Sequence, residues 1–236
     1  MNLILLFKDD FINNNDRVCL RGRRHEHVRN IHRASVGDQL CVGLCDGNIG
    51  TGRIVTLDDN VLEMDVTLSR DVPKALAVTL ILALPRPNVC KRILATVSAM
   101  GVKHIILFHS SRVEKSYWKS PVLKEDSIKN QLILGLEQAR DTVLPRVELR
   151  PRFKPFVEDE LPSIAENTLK LAAHPDSIDP CPSGVDRPVT LVIGPEGGFI
   201  PYEIEKLTAI GFVPVSLGER ILRVESVVPA LLSRLL

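Results

Sequence analysis

Apolar positions follow two different rhythms along the chain. Over residues 1 to about 70 they come in short or alternating runs, at 2–7, 39–44, 50–57 and 61–68. The breaks between them, Val36-Gly37-Asp38, Asp46-Gly47-Asn48 and Asp58-Asp59-Asn60, are turn-forming residues. Several short strands at this spacing predict a small β-barrel. Beyond the linker Asp71-Val72-Pro73-Lys74-Ala75 the rhythm changes. Residues 77–84 are apolar at every position but Thr79, the pattern of a strand covered on both faces in a parallel sheet. Pro85 and Pro87 end that strand. A helix is then predicted over 90–100, stopped by Gly101, and a buried strand over 104–108. The alternation continues with a helix over 122–139, a strand over 147–149, a helix from 157 toward 167 and a strand over 169–172. Residues 177–188, with three prolines and a glycine, read as a loop. Strands alternating with helices predict an α/β fold with a mostly parallel sheet. The expected division is therefore a β-barrel over 1–71 and an α/β domain over 74–236.

The most informative stretch is the last fifty residues. Two more strands, 189–193 and 213–217, each run into a glycine-bearing loop that leads to a helix. Gly194-Pro195-Glu196-Gly197-Gly198 lacks side chains at three of five positions, so a ligand can lie directly against main-chain groups. Pro201 suits the first turn of a helix over 202–210, and Gly211 suits its stop. A loop at the carboxyl end of a strand is where open α/β sheets bind ligands. Neither G-x-G-x-x-G nor G-x-x-x-x-G-K-[ST] is present, which argues against a nucleotide phosphate cradle. Taken alone, Gly197-Gly198 reads equally as a tight connection. Leu217-Gly218-Glu219-Arg220 repeats the pattern one strand later, followed by Arg223 and Glu225, and the pair of loops favours a small-molecule pocket.

Composition narrows the picture further. The chain has 236 residues, 44% of them hydrophobic, and a net charge of +1. No apolar run approaches the length of a membrane span, and no secretory leader is legible. Cys19, Cys41, Cys45, Cys90 and Cys181 are an odd set without C-x-x-C spacing, which points to a reduced cytoplasmic protein without a structural metal. Charge is uneven, however. Residues 17–33 hold six Arg and three His against one Glu. Arg17, Arg21, Arg23, Arg24, His27 and Arg29 suit an RNA-backbone contact, because a local basic cluster repels itself unless a partner offsets it. The other reading is a solvated face, with buried, hydrogen-bonded histidines. Tyr117 and Trp118 are either packing residues or a platform for a base.

Residues 193–199 (Ile-Gly-Pro-Glu-Gly-Gly-Phe) and 217–226 (Leu-Gly-Glu-Arg-Ile-Leu-Arg-Val-Glu-Ser) resemble the signature of the SPOUT methyltransferases with a C-terminal trefoil knot. They are similar in particular to the RsmE-type enzymes, which methylate N3 of a uridine in 16S ribosomal RNA. The match is close over 189–227 and collinear over the rest. His25, His27, Val28 and Arg29 are similar to the PUA-like barrel that precedes the methyltransferase domain in that family, and Arg112 matches the arginine after its second strand. Thr96, Ala99 and Asp141 depart from its pattern.

The resemblance implies S-adenosylmethionine as methyl donor, held by Ile193, Gly194, Pro195, Glu196, Gly197, Gly198, Leu217, Gly218, Ile221 and Leu222. It implies Arg223 as the group that stabilises charge on the uracil oxygens, Glu225 as base or as orienter of Arg223, and Arg112 among the RNA contacts. It also implies a homodimer working on ribosomal RNA or the small ribosomal subunit. Two other readings stay open: a non-catalytic RNA-binding protein, and an enzyme of the same fold acting on another rRNA or tRNA nucleotide.

Overall fold

The computed structural model describes residues 2–12 and 16–236. The chain forms two compact units, Met1–Lys74 with Ile133–Leu144, and Ala75–Leu132 with Pro145–Leu236.

The first unit is built on six strands: β1 (Ile4–Leu6), β2 (Phe11–Ile12), β3 (Arg17–Leu20), β4 (Gln39–Leu44), β5 (Ile49–Leu57) and β6 (Leu62–Arg70). They form one sheet in the order β1-β4-β5-β6-β3-β2, with β1 parallel to β4 and the other pairs antiparallel. Ile4, Phe11, Val18, Val42, Ile54 and Met64, one from each strand, pack into a single cluster, so the sheet curls around it. Strand alternation sets both faces of β1. Ile4 and Leu6 enter this cluster, while Leu3 and Leu5 join a second one with Ile49, Ile133 and Leu136. That second cluster is why residues 133–144 belong here, and the amides of Asn2 and Leu3 add hydrogen bonds of 3.0 Å to the Glu137 carbonyl. Gly50, at a bulge in β5, has no room for a side chain: a Cβ there would sit 1.8 Å from the Thr67 carbonyl oxygen.

The basic residues 17–33, to which the sequence reading assigns no strand or helix, fold as β3, a short helix α1 (Arg23–His27) and a π-turn (Val28–His32). Arg17-Val18-Cys19-Leu20 does alternate, with Val18 and Leu20 fully buried, but the surrounding arginines mask the pattern.

The second unit alternates strand and helix: β7 (Leu76–Ala83), α2 (Pro87–Ala99), β8 (Val102–Phe108), α3 (Glu125–Ala139), whose residues from Ile133 onward belong to the first unit, and β9 (Arg146–Arg150). Next come α4 (Phe153–Pro155), a π-turn (Phe156–Glu160), α5 (Leu161–Ile164), β10 (Leu169–Ala173), β11 (Val189–Ile193), α6 (Pro201–Ala209), β12 (Val213–Val215) and α7 (Val224–Leu235). All six strands are parallel, in the order β12-β10-β11-β7-β8-β9. Every residue of β11 is buried, as expected of a strand covered on both faces.

Boundaries shift for local reasons. α2 starts at Pro87, three residues earlier than read, because proline at the first helical position gives up an N–H the helix does not use. The helical segment read as 157–167 runs from Phe153 to Ile164, and Asn167, with φ of 59°, lies outside it. β12 ends at Val215, since Ser216 bridges Pro180 in the preceding loop.

The chain passes from β11 to β12, on the far side of β10, and returns so that α7 packs on α2. The segments that carry it out and back are the two glycine-bearing loops.

Candidate active site

Those loops follow β11 and β12, the two strands that flank β10. With the end of β10 between them, they enclose a cavity of roughly 300 Å³ at the carboxyl edge of the sheet. Ile193, Gly194, Pro195, Glu196, Gly197, Gly198, Leu217, Gly218, Ile221 and Leu222, read from the sequence as cofactor-binding, all line it. Sequence reasoning missed Ala173 at the end of β10, His174 and Pro175 after it, and Arg220, Val224, Val227 and Leu231. The β10 end carries no glycine. The rule that ligands bind at carboxyl ends of strands is the signal that would have found it.

The cavity is lined by backbone that other residues hold in place. Gly198, at φ of 73°, closes a turn in which its amide donates to the Pro195 carbonyl at 2.8 Å, a conformation that suits glycine. The Glu196 carboxylate accepts from the Arg86 amide at 3.0 Å, tying the loop after β7 to the loop after β11. Arg112, after β8, donates through Nη1 to the Gly197 carbonyl. Glu203, 2% exposed in the first turn of α6, accepts from the Ser111 amide at 2.7 Å, the Ser110 hydroxyl at 3.1 Å and the Ile200 amide at 3.1 Å. One buried carboxylate thus caps α6 and fastens the loop after β8, a satisfied buried acceptor of the kind folded proteins keep.

Arg223 and Glu225 flank Val224, which lines the cavity. Arg223 is exposed and N-caps α7 with its main chain, its carbonyl accepting from the Ser226 and Val227 amides at 2.9 Å. Glu225 faces Arg92, on α2, at 3.4 Å rather than Arg223.

The arginines of residues 17–33 are largely neutralised by the first unit itself. Arg17 pairs with Asp65 at 2.7 Å, Arg23 with Glu137 at 2.9 Å, Arg24 with Asp10 at 2.5 Å and Arg29 with Asp59 at 2.6 Å. The self-repulsion inferred from the sequence is offset by carboxylates distant in the chain. Arg21 is exposed. His25 is 3% exposed, its Nε2 2.9 Å from the Asp58 carbonyl. His27 lies edge-on to His32 at 4.9 Å, and burial, reinforced by neighbouring positive charge, pushes its pKa down. Neutral imidazole is favoured there.

In the second unit, Trp118 Nε1 donates to His109 Nδ1 at 2.9 Å, and the Tyr117 hydroxyl donates to Glu114 at 3.2 Å. Burial lowers the His109 pKa, in keeping with a neutral ring accepting that bond. Among the described residues no group of three metal-ligating side chains occurs, and no helix is long and apolar enough to cross a membrane.

A family model described as an RNA methyltransferase domain matches residues 72–236, well over half of the chain. The chain belongs to the RNA methyltransferase domain family. The matched span of this RNA methyltransferase domain contains every cavity residue and none of β1 to β6. Similar curated proteins include the ribosomal RNA small subunit methyltransferase E of Treponema pallidum, 26% identical over 231 residues, covering 96% of this chain and 87% of that protein. Another is the ribosomal RNA small subunit methyltransferase E 1 of Borreliella burgdorferi, 25% identical over 229 residues, covering 96% and 93%. The fold is shared with the Neisseria gonorrhoeae ribosomal RNA small subunit methyltransferase E solved with S-adenosylmethionine, at a TM-score of 0.78 and 19% identity over 98% of this chain and 95% of that one. It is shared too with a Legionella pneumophila protein solved with the same cofactor, at 0.77 and 23% over 99% and 96%.

Proposed function

We propose that the protein transfers a methyl group from S-adenosylmethionine to N3 of a uridine in small-subunit ribosomal RNA. The observation that carries this reading is the cavity, where the loops after β10, β11 and β12 converge on one backbone-lined space. Its volume, roughly 300 Å³, is at the low end of ordinary small-molecule sites. Its walls suit the donor. Ile193, Leu217, Ile221 and Leu222 offer apolar surface to an adenine ring, and the glycines leave main-chain N–H and C=O groups within reach. A Cβ at Gly194 would press on the Phe199 ring at 3.1 Å, so the loop has no slack for side chains at that point.

When bound, the donor supplies an electrophilic methyl on a sulfonium centre. The protein's part is alignment and charge control. Holding N3 in line with the methyl and excluding water accounts for much of the rate. N3 must lose a proton as it attacks, and charge then builds on the flanking carbonyl oxygens. Arg223, exposed beside the cavity, is the donor we assign to that charge, by oxyanion logic. Glu225 is the carboxylate assigned either to the proton or, after release from Arg92, to Arg223.

The route of the chain out to β12 and back to α2 supports a trefoil knot, and the curled six-stranded sheet supports a PUA-like barrel, with a division near residue 72. The exposed members of the residue 17–33 cluster, Arg21 above all, suit contacts to RNA beyond the target base. Ile221, 84% exposed, and Leu222, 41% exposed, lie at the cavity rim and support a homodimer that covers them.

The test is transfer of labelled methyl to unmodified small-subunit RNA, with the product nucleoside identified by mass spectrometry. N3-methyluridine from wild type, and a loss on the order of a hundred- to a thousand-fold for Arg223→Ala with donor affinity retained, is the expected result. Donor binding without transfer to this RNA would redirect the enzyme to another RNA. Wild-type turnover in Arg223→Ala would remove that residue from the chemistry.

A further inference from the structure

The geometry points to an RNA-backbone track along the loops after β7 and β8, formed by Arg86, Lys115 and Lys119; it rests on the methyltransferase reading and locates where the substrate lies. Strand order carries the argument. Next to β11, whose loop walls the cavity, come β7 and then β8. Their carboxyl ends therefore continue the same edge of the sheet. The β7 loop places Arg86 there, its amide bonded to Glu196 of the cavity wall. The β8 loop places Arg112 there, bonded to Gly197, followed by a 3-10 helix, Lys115–Lys119.

This edge differs from residues 17–33 in its charge balance. Arg17, Arg23, Arg24 and Arg29 each meet a carboxylate. Arg86, Lys115 and Lys119 are exposed, and none forms an ion pair among the described residues. The Arg86 guanidinium lies by the Tyr117 hydroxyl, which is itself bonded to Glu114 at 3.2 Å, so the Arg86 and 3-10 helix cations share one surface with the Glu114 carboxylate among them. That surface is held in place. Trp118 is bonded to His109 at 2.9 Å, Ser120 caps the following turn, and Glu203 accepts from the Ser110 hydroxyl and the Ser111 amide. Cations held along the edge of the sheet that carries the cavity suit the phosphates on either side of a target nucleotide. They position the strand and carry no sequence information.

The experiment compares Arg86→Ala/Lys115→Ala/Lys119→Ala with a charge-matched control, Lys74→Ala/Arg146→Ala/Arg187→Ala, whose cations sit at or just before the amino ends of β7, β9 and β11. Unmodified small-subunit RNA is titrated from 50 to 200 mM salt, and S-adenosylmethionine affinity is measured on every variant by calorimetry. The expected result is at least a tenfold weaker RNA affinity for the first variant and a salt slope about 2 units shallower, at about 0.7 per single-stranded phosphate contact. Donor affinity stays at the wild-type value, and the control changes far less. Equal losses in both triple variants, or wild-type RNA binding by the first, would overturn the track while leaving the methyltransferase reading intact. A wild-type protein that binds donor but neither binds nor methylates this RNA would overturn that reading, and the track with it.

Discussion

At the residue scale, the cavity depends on positions where a side chain is missing. Gly197 is the sharpest case. Its φ is not in the left-handed region, so the backbone itself would accept any residue. What crowds a side chain is Arg112, whose Cδ lies 3.1 Å and Cβ 3.4 Å from where a Cβ would be. Gly197→Leu is thus expected to displace Arg112 and move the Gly197 carbonyl it holds. Overpacking of this kind costs about 1–3 kcal/mol at a buried site and less at an exposed loop, so the fold survives. Donor affinity by calorimetry should fall by about tenfold or more, since each 1.4 kcal/mol is a factor of ten. Unchanged affinity would exclude this loop from the donor site. The same scale shows why the carboxylates are legible only in pairs. Glu203 is one of several glutamates in the sequence, and nothing local marks it as the buried acceptor of three hydrogen bonds.

Among the elements, β9 is one of the two edge strands of the parallel sheet, and a hydrogen bond between His104 and Glu148 ties it to β8. Glu148 receives a hydrogen bond from His104 Nε2 at 2.8 Å, and meets Arg150 at 2.7 Å and Arg146 at 3.1 Å. Burial raises its pKa, but the hydrogen bonds from His104 and Arg150 outweigh that and hold it below the ordinary 4.5. A carboxylate with a depressed folded pKa contributes stability that is present above its unfolded value and lost as pH falls through the folded one. Denaturant titrations should show wild type losing stability below about pH 4.5. Glu148→Gln should be less stable at pH 7, by about 1–2 kcal/mol, with a flatter acid limb. An unchanged acid limb would show that Glu148 does not anchor this edge. The end of α6 shows the opposite situation, in which local sequence suffices. Gly211, at φ of 92°, lets its own amide reach the Thr208 carbonyl at 2.9 Å and that of Phe212 reach Leu207 at 3.0 Å. That is a Schellman stop, and glycine is its usual residue.

For the whole molecule, the exposed apolar pair Ile221 and Leu222 argues for a second copy of the chain. Light scattering on the purified protein is expected to give twice the 26.2 kDa chain mass. Ile221→Asp should shift it toward monomer and lower methyl transfer with it. A wild-type monomer with full activity would remove the dimer from the mechanism.

The sequence by itself determined the two rhythms of strand and helix and the glycine loops, because alternation, continuous burial and missing side chains act over a few neighbouring positions, and its resemblance to a known family supplied the ten residues found lining the cavity. Tertiary structure decided the rest. It brought Asp65 to Arg17 and Glu137 to Arg23 across 48 and 114 residues, turning an apparent excess of positive charge into ion pairs. It set the strand order that puts the end of β10 between two loops distant from it in the chain, and turned Glu225 toward Arg92. Electrostatic and packing partners are chosen by distance in space, and a linear reading carries no measure of that distance until the sheet order is known.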